Sequence, residues 1–520
     1  MKKSLRALTG ATAIAILVAA CGGGGGDGGG FGGIIVPPAT DTGRGSLVVN
    51  PPARSVELSA GTFNALLNAT SSGRSIAQVA GTPKCGIDVR AMEYRTVGGK
   101  GEATTATAAL MVPTGNDAAC IGARPVLLYA HGTNAARNFN MAGFIDPNQP
   151  AAVEAILVAA IFAAQGYIVV APNYAGYDKS PLPYHPYLNG DQQGKDMVDA
   201  LVAARKALPF IPVSESGAVF ISGYSQGGYV ALAAHREMQA TGRAVTASAP
   251  LSAPSAISLL ADYSFLGWPA LGATVFTPLL STSWQQQFGN IYNATSDIYE
   301  QKYATGIDTL LPSLTPVDQL FAAGKLPQLA LYPANAVPGP INPSLSLFYG
   351  PDNLIKQSYL TQAANDIGVN PCPGNALPAT NASLATTTPL DCKPTLGFRR
   401  AAAANDLRNW LPARPMLMCG GNLDPTVNFV STLATAGYFR ARGVPASALT
   451  VLDLEQSGGS GDPFAAARAG FATAKANTAA AAQGTPDEKA LAVILAYHGT
   501  LLPPFCMVSA RGFFQAVLGS

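Results

Sequence analysis

The chain has almost no net charge: 32 lysines and arginines stand against 30 aspartates and glutamates, which leaves +2 over 520 residues. That balance offers no basic field to a nucleic-acid backbone, so nucleic acid and other polyanions are excluded as partners. Metal-binding patterns are missing too. No Cys-x-x-Cys pair occurs and the four histidines are scattered, so neither a zinc site nor any other metal is expected. There is no internal repeat. Beyond the N-terminus no run combines the length and unbroken apolarity of a membrane helix, so the rest of the chain is expected to be soluble.

What is present begins with "MKKSLR", a basic start, followed by a short apolar stretch from Ala7 to Ala20 and by "VAAC", small residues ahead of Cys21. This resembles a bacterial lipoprotein signal, which implies cleavage before Cys21 and lipidation of that cysteine. The next stretch, "GGGGGDGGGFGG", carries too little side chain to form a core and reads as a tether. The expected product is exported and held by an N-terminal lipid anchor to the cell envelope, at the outer membrane or cell surface.

With 48% hydrophobic residues the chain has ample material for a core. From Asp88 its pattern suits an α/β sheet. "DVRAMEYRTV" and "TTATAALMVP" form an opening strand pair, and "PVLLYAHG", "YIVVAPNY", "GAVFISG" and "AVTASAPLSAP" are further strands. Helical patterns lie between them. Regular alternation stops near residue 257 and returns at "PMLMCGGNLD" and "ALTVLDLE". The expected organisation is therefore a signal peptide at 1–20, a Gly-rich tether at 21–45, a first part of the core at 46–256, an inserted cap at 257–405 and a second part of the core at 406–520. The Ala/Gly-rich run at 456–483 reads as a smaller insertion or a loose loop.

The chemistry centres on "GYSQGG". Gly223, Ser225 and Gly227 make the pattern G-x-S-x-G between a strand and a helix, where only small residues two places from the serine avoid a clash at a sharp turn. A serine hydroxyl is a weak nucleophile, so Ser225 needs a histidine base and a carboxylate to orient that base. In this architecture the acid and then the histidine follow the serine along the chain. His498 is the one histidine after the returning strands. His131, His185 and His235 have blander readings: a strand end, a proline- and tyrosine-rich "LPYHPYL", and a position too far along the helix. Asp424, in a turn just past an apolar strand, is the expected acid, and Asp453 the runner-up. The oxyanion hole is expected from the backbone N–H of Gln226 and from Thr133, with Gly132 as the fallback.

"YAHGT", "APNYAGYDKS", "GYSQGG", "GGNLDPTV" and "YHGT", in this order, resemble the α/β-hydrolase superfamily, and within it the bacterial esterases and the secretory lipase group. The similarity covers roughly residues 85 to 255 and 405 to 520. It implies an α/β-hydrolase fold, a mostly parallel sheet flanked by helices, with a Ser-Asp-His triad, no cofactor and a carboxylic ester of small-molecule or lipid-like kind as substrate. One departure is the long stretch between "ALTVLDLE" and His498, where the family more often has a short loop. The insertion carries no readable motif. As a cap it would cover the site, with "LFYGPDNLI" and "LGWPALGATVF" supplying apolar residues.

Two other readings stay open. A peptidase of the same fold would need a carboxylate pair for a substrate ammonium, with Asp297 and Glu300 as candidates. A non-catalytic binding protein is the other, and an intact Ser, Asp and His in order argue against it.

Besides Cys21 there are six cysteines, an even number that suits disulfides in an exported chain. If Asp424 and His498 meet, Cys419 and Cys506 lie near one sheet edge and can pair. Sequence proximity then pairs Cys85 with Cys120 and Cys372 with Cys392.

Overall fold

The computed structural model describes residues 43–375 and 390–519. The signal, Cys21, the tether as far as residue 42 and residues 376–389 of the expected cap lie outside the described residues, all of which belong to one compact unit.

Nine strands build one sheet: β1 (Ala53–Leu58), β2 (Gly86–Val97), β3 (Ala103–Thr114), β4 (Ala123–Ala130), β5 (Ile168–Pro172), β6 (Ser214–Tyr224), β7 (Ala247–Leu251), β8 (Met416–Gly420) and β9 (Leu449–Asp453). Their order is β1-β2-β3-β5-β4-β6-β7-β8-β9. The first three strands and the junction of β3 with β5 are antiparallel, and every pairing from β5 through β4 to β9 is parallel. β2 and β3 form a long hairpin in register from Gly86 opposite Thr114 to Val97 opposite Ala103. β5, β7 and β8 are buried at every position, as parallel strands with helices on both faces must be. The helix Gly190–Ala207 starts where the Asn189 side chain accepts the Gln192 N–H and ends with Arg205 and Lys206 in its last turn, both favourable at those ends.

The inserted segment runs between β7 and β8. Its helices include Ile257–Phe265, Ala273–Phe288, Gln357–Val369 and Gly397–Ala404. Arg399 ties them together: fully buried, it binds Asp262 at 2.7 Å and Asp366 at 2.7 Å, carboxylates from two other helices of the insertion.

Three features depart from the sequence expectations. The stretch before Cys85 contains β1 and two helices, Ala60–Ala69 and Ser71–Ala80, whose starts are capped by the Ser59 and Thr70 side chains. The run at 456–483 is no loose loop: it contains the helix Ala465–Ala481, which alanine's high helix propensity supports and which packs on the C-terminal helix. One later segment, Pro486–Gly519, does form a continuous helix long and apolar enough to cross a membrane. In this fold only the second half is a core helix, and the first half, Pro486–Ala496, buries none of its residues. The second half packs on β6, β7 and β8, burying Leu502, Phe505, Met507 and Phe514.

Three disulfides join Cys85 to Cys120, Cys372 to Cys392 and Cys419 to Cys506, the pairs expected from the sequence. The last links the C-terminal helix to β8.

Candidate active site

Ser225 follows β6 and begins the helix Gln226–Ala240 at φ 60° and ψ −122°, a left-handed setting that a serine holds only under constraint. Its N–H donates to the Leu251 carbonyl at 2.9 Å, and its own carbonyl accepts the Gly228 N–H at 2.9 Å. The flanking glycines are required sterically. A Cβ on Gly223 would lie 2.3 Å from the Gly227 oxygen, and one on Gly227 would lie 2.0 Å from the Ala130 oxygen. Because the obstacle is backbone on a neighbouring strand, Gly227→Ala is expected to cost at least about 1–3 kcal/mol of stability and to displace Ser225. Denaturant unfolding checks the first effect and labelling of Ser225 by a serine-directed probe the second.

His498 sits in a π-turn, Tyr497–Leu501, between the two halves of the long C-terminal helix. Its Nε2 is 2.8 Å from Ser225 Oγ and its Nδ1 is 2.7 Å from Asp424 Oδ2. A carboxylate only accepts, so Nδ1 carries the proton and Nε2 presents a lone pair to the serine. Asp424 stands in the turn after β8, buried. Its Oδ1 accepts the N–H groups of Thr426 and Val427, and its Oδ2 also accepts the Ser252 hydroxyl at 2.7 Å. Tyr224 donates to the His498 carbonyl at 2.7 Å, fixing the π-turn. The fold thus brings Ser225, Asp424 and His498 into one hydrogen-bonded chain, across 273 residues in the case of the serine and histidine.

The long stretch before His498 is a helical buttress. Tyr497 donates to Glu455 at 2.7 Å, and Glu455 is paired with Lys475 on the helix Ala465–Ala481. Asp453, the runner-up acid, is engaged elsewhere. It accepts the Asn422 and Glu455 N–H groups, each at 3.0 Å, and so holds the turn that carries Asp424.

On the other side of Ser225, the Gly132 N–H is engaged by Glu154 Oε1 at 3.0 Å, an oxygen that also accepts the Tyr129 hydroxyl at 2.8 Å. This withdraws Gly132 as the fallback donor and leaves Thr133 as the candidate on that loop. Burial raises the Glu154 carboxyl above its ordinary range. His131 anchors the same loop, its ring stacked between Phe139 and Tyr174 and its nitrogens beside the Gly132 and Asn173 carbonyls. Burial lowers its pKa to about 4, so it is neutral and structural. His235 is likewise buried, on Ser248, and away from the serine. Sequence reasoning missed Glu154, Tyr224 and Ser252. The single available signal was that Tyr224 ends the serine's own strand and Ser252 directly follows the strand beside it.

A cleft of about 1150 Å³, counting its open mouth, starts at Ser225, Thr133 and Asp424 and runs under the insertion. Trp268, Phe276 and Ile355 line it, from the two apolar stretches singled out in the sequence, together with Leu260, Trp284 and Phe398. Asp297 and Glu300 are not brought to it. Asp297 is exposed and caps the Asn293 and Ala294 N–H groups, Glu300 holds Asn353, and the lining residue of that segment is Ile298.

The model of the secretory lipase family matches residues 150–241, the part of the chain that contains Glu154, the serine's strand and the serine's helix. No curated protein matches the sequence. Among solved structures, a ligand-bound form of the rice cell wall degrading esterase LipA from Xanthomonas oryzae superposes with a TM-score of 0.65 at 23% identity, over 90% of this chain and 98% of that one. Another structure of the same esterase gives a TM-score of 0.61 at 25% identity, over 82% and 95%. The chain therefore has the α/β-hydrolase fold.

Proposed function

We propose that this protein is a carboxylic-ester hydrolase that works through an acyl-enzyme on Ser225. The observation that carries the reading is the Asp424–His498–Ser225 chain, with contacts of 2.7 and 2.8 Å, at the mouth of an apolar cleft. The secretory-lipase match and the likeness to an esterase support ester bonds as the target. His498 Nε2 takes the Ser225 proton as Oγ attacks the ester carbonyl, and Asp424 stabilises the resulting imidazolium. The negative oxygen meets the N–H groups of Gln226 and Thr133. His498 then protonates the departing alcohol, and water releases the acid by the same steps in reverse. The acyl group occupies the cleft under the cap. Export fits the family match and the three disulfides, and anchoring through lipidated Cys21 completes the proposal.

Apart from Asp424, which is committed to His498, the described residues of the cleft wall include no carboxylate to hold a substrate ammonium, which favours esters over peptides. A panel of p-nitrophenyl esters and aminoacyl anilides tests this. Hydrolysis is expected for the esters alone. With each buried methylene worth about 0.8 kcal/mol, kcat/KM should rise about fourfold per carbon until the pocket is full. Preferred cleavage of anilides, or a flat response from acetyl to long acyl chains, counts against the reading.

A further inference from the structure

The segment "LPYHPYL", Leu182 to Leu188, looks incidental in the sequence, yet it touches both residues assigned to the oxyanion hole. His185 Nε2 lies 2.6 Å from the side-chain Nε2 of Gln226, and the Tyr187 hydroxyl lies 2.8 Å from Thr133 Oγ1. We propose that His185 and Tyr187 are positioning residues that set the two oxyanion donors, His185 through Gln226 and Tyr187 through Thr133. The proposal rests on the ester-hydrolase reading.

The tautomer of His185 follows from its partners. Its Nδ1 is 2.9 Å from the Ala175 carbonyl and must donate, so Nε2 is a lone pair that accepts an amide N–H from Gln226; the Gln193 amide nitrogen stands farther off, at 3.4 Å. Burial lowers the His185 pKa to about 3, so the ring stays a neutral acceptor across the working pH range and cannot serve as a proton shuttle. The Gln226 Oε1 is buried without a partner, so the contact with His185 alone determines which way the amide faces. Gln226 is the first residue of the nucleophile helix, and with its side chain held the peptide that carries the donor N–H has one setting.

Tyr187 and Thr133 both line the cleft beside Ser225. Their hydroxyls fix each other, and the bond holds Thr133, and with it the N–H assigned to the oxyanion, in one place beside Ser225. The segment is itself pinned. The Leu188 carbonyl accepts from Tyr229 on the nucleophile helix at 3.1 Å and from Trp284 of the inserted helix Ala273–Phe288 at 3.2 Å. Leu188 holds φ 48°, a conformation that persists in a leucine only where its surroundings enforce it.

Tyr187→Phe removes one oxygen and tests the proposal on the full-length protein. Loss of a whole oxyanion donor costs about 10²–10³ in kcat, so a misplaced one is expected to cost about 10-fold or more. KM for a p-nitrophenyl ester should stay within about twofold, the pattern of an interaction made in the transition state. Affinity for an alkylboronic acid, which mimics the tetrahedral intermediate, should fall by the same factor as kcat/KM. Thr133→Val should cost a similar factor, and in that background Tyr187→Phe should cost nothing more. For the other arm, Gln226→Met removes the amide without leaving an unpaired oxygen, and it too should lower kcat at constant KM. Unchanged kcat in Tyr187→Phe and Gln226→Met, or losses that simply multiply in the Thr133→Val, Tyr187→Phe pair, overturns the proposal. Absence of any ester turnover by the unaltered protein would instead overturn the reading on which it rests.

Discussion

Ser225→Ala is expected to lower ester turnover by about 10⁶, because in triads of this kind the serine and the histidine act as one unit and loss of either removes nearly the whole effect. His498→Ala should lose a similar factor. Asp424→Asn should lose about 10⁴, since an amide at that place favours the wrong tautomer of His498. The serine variant deletes one oxygen at a site whose backbone is fixed by the Leu251 and Gly228 hydrogen bonds, so its melting temperature should match that of the unaltered protein. Steady-state kinetics on a purified p-nitrophenyl ester, with calorimetry alongside, gives both numbers. Turnover retained in Ser225→Ala would falsify the acyl-enzyme, and labelling of another serine by a fluorophosphonate would move the nucleophile.

Replacing Cys419 and Cys506 together by alanine is expected to cost about 4–5 kcal/mol of unfolding free energy, the chain-entropy value for a loop of this length. The bridge spans 87 positions and closes over β9, the buttress helix Ala465–Ala481 and His498 itself. Activity should fall with stability, because the same bond ties the helix that follows His498 to the strand that precedes Asp424. Urea unfolding and ester turnover, measured on the double variant and on the reduced protein, check both effects. An unchanged midpoint, or a free thiol at either position in peptide maps of the unreduced protein, removes the role assigned to the bridge.

Much of this was legible in the chain. G-x-S-x-G carries part of its own context, since a side chain at Gly223 would strike the Gly227 oxygen four residues on, while the Ala130 oxygen that bars one at Gly227 comes from β4. The returning strands and the order serine, acid, histidine favoured Asp424 over Asp453 and left one histidine, and the structure puts Asp424 and His498 within hydrogen-bond reach of the expected partners. The six cysteines paired as expected, Cys419 with Cys506 because Asp424 and His498 meet at one sheet edge, and the other four by proximity along the chain. Apolar stretches of the insertion were legible as candidates for the cleft wall, and Trp268, Phe276 and Ile355 are on it.

What the sequence by itself determined, then, was each feature whose neighbours along the chain announce it: the serine turn between two glycines, the aspartate turn after a buried strand, the alternation that makes a parallel sheet. The tertiary structure alone decided the contacts among residues far apart in the chain. Glu154 meets Gly132 across 22 residues, Tyr187 meets Thr133 across 54, and Lys475 reaches Tyr497 by way of Glu455. Asp297 and Glu300, which helical spacing made plausible as a pair, were turned to the surface and to Asn353 instead. The physical reason is the same in each case. Periodicity and turn chemistry act over a few residues, whereas the direction of a side chain at a site depends on strand order, sheet register and the packing of the insertion, which the whole chain settles at once.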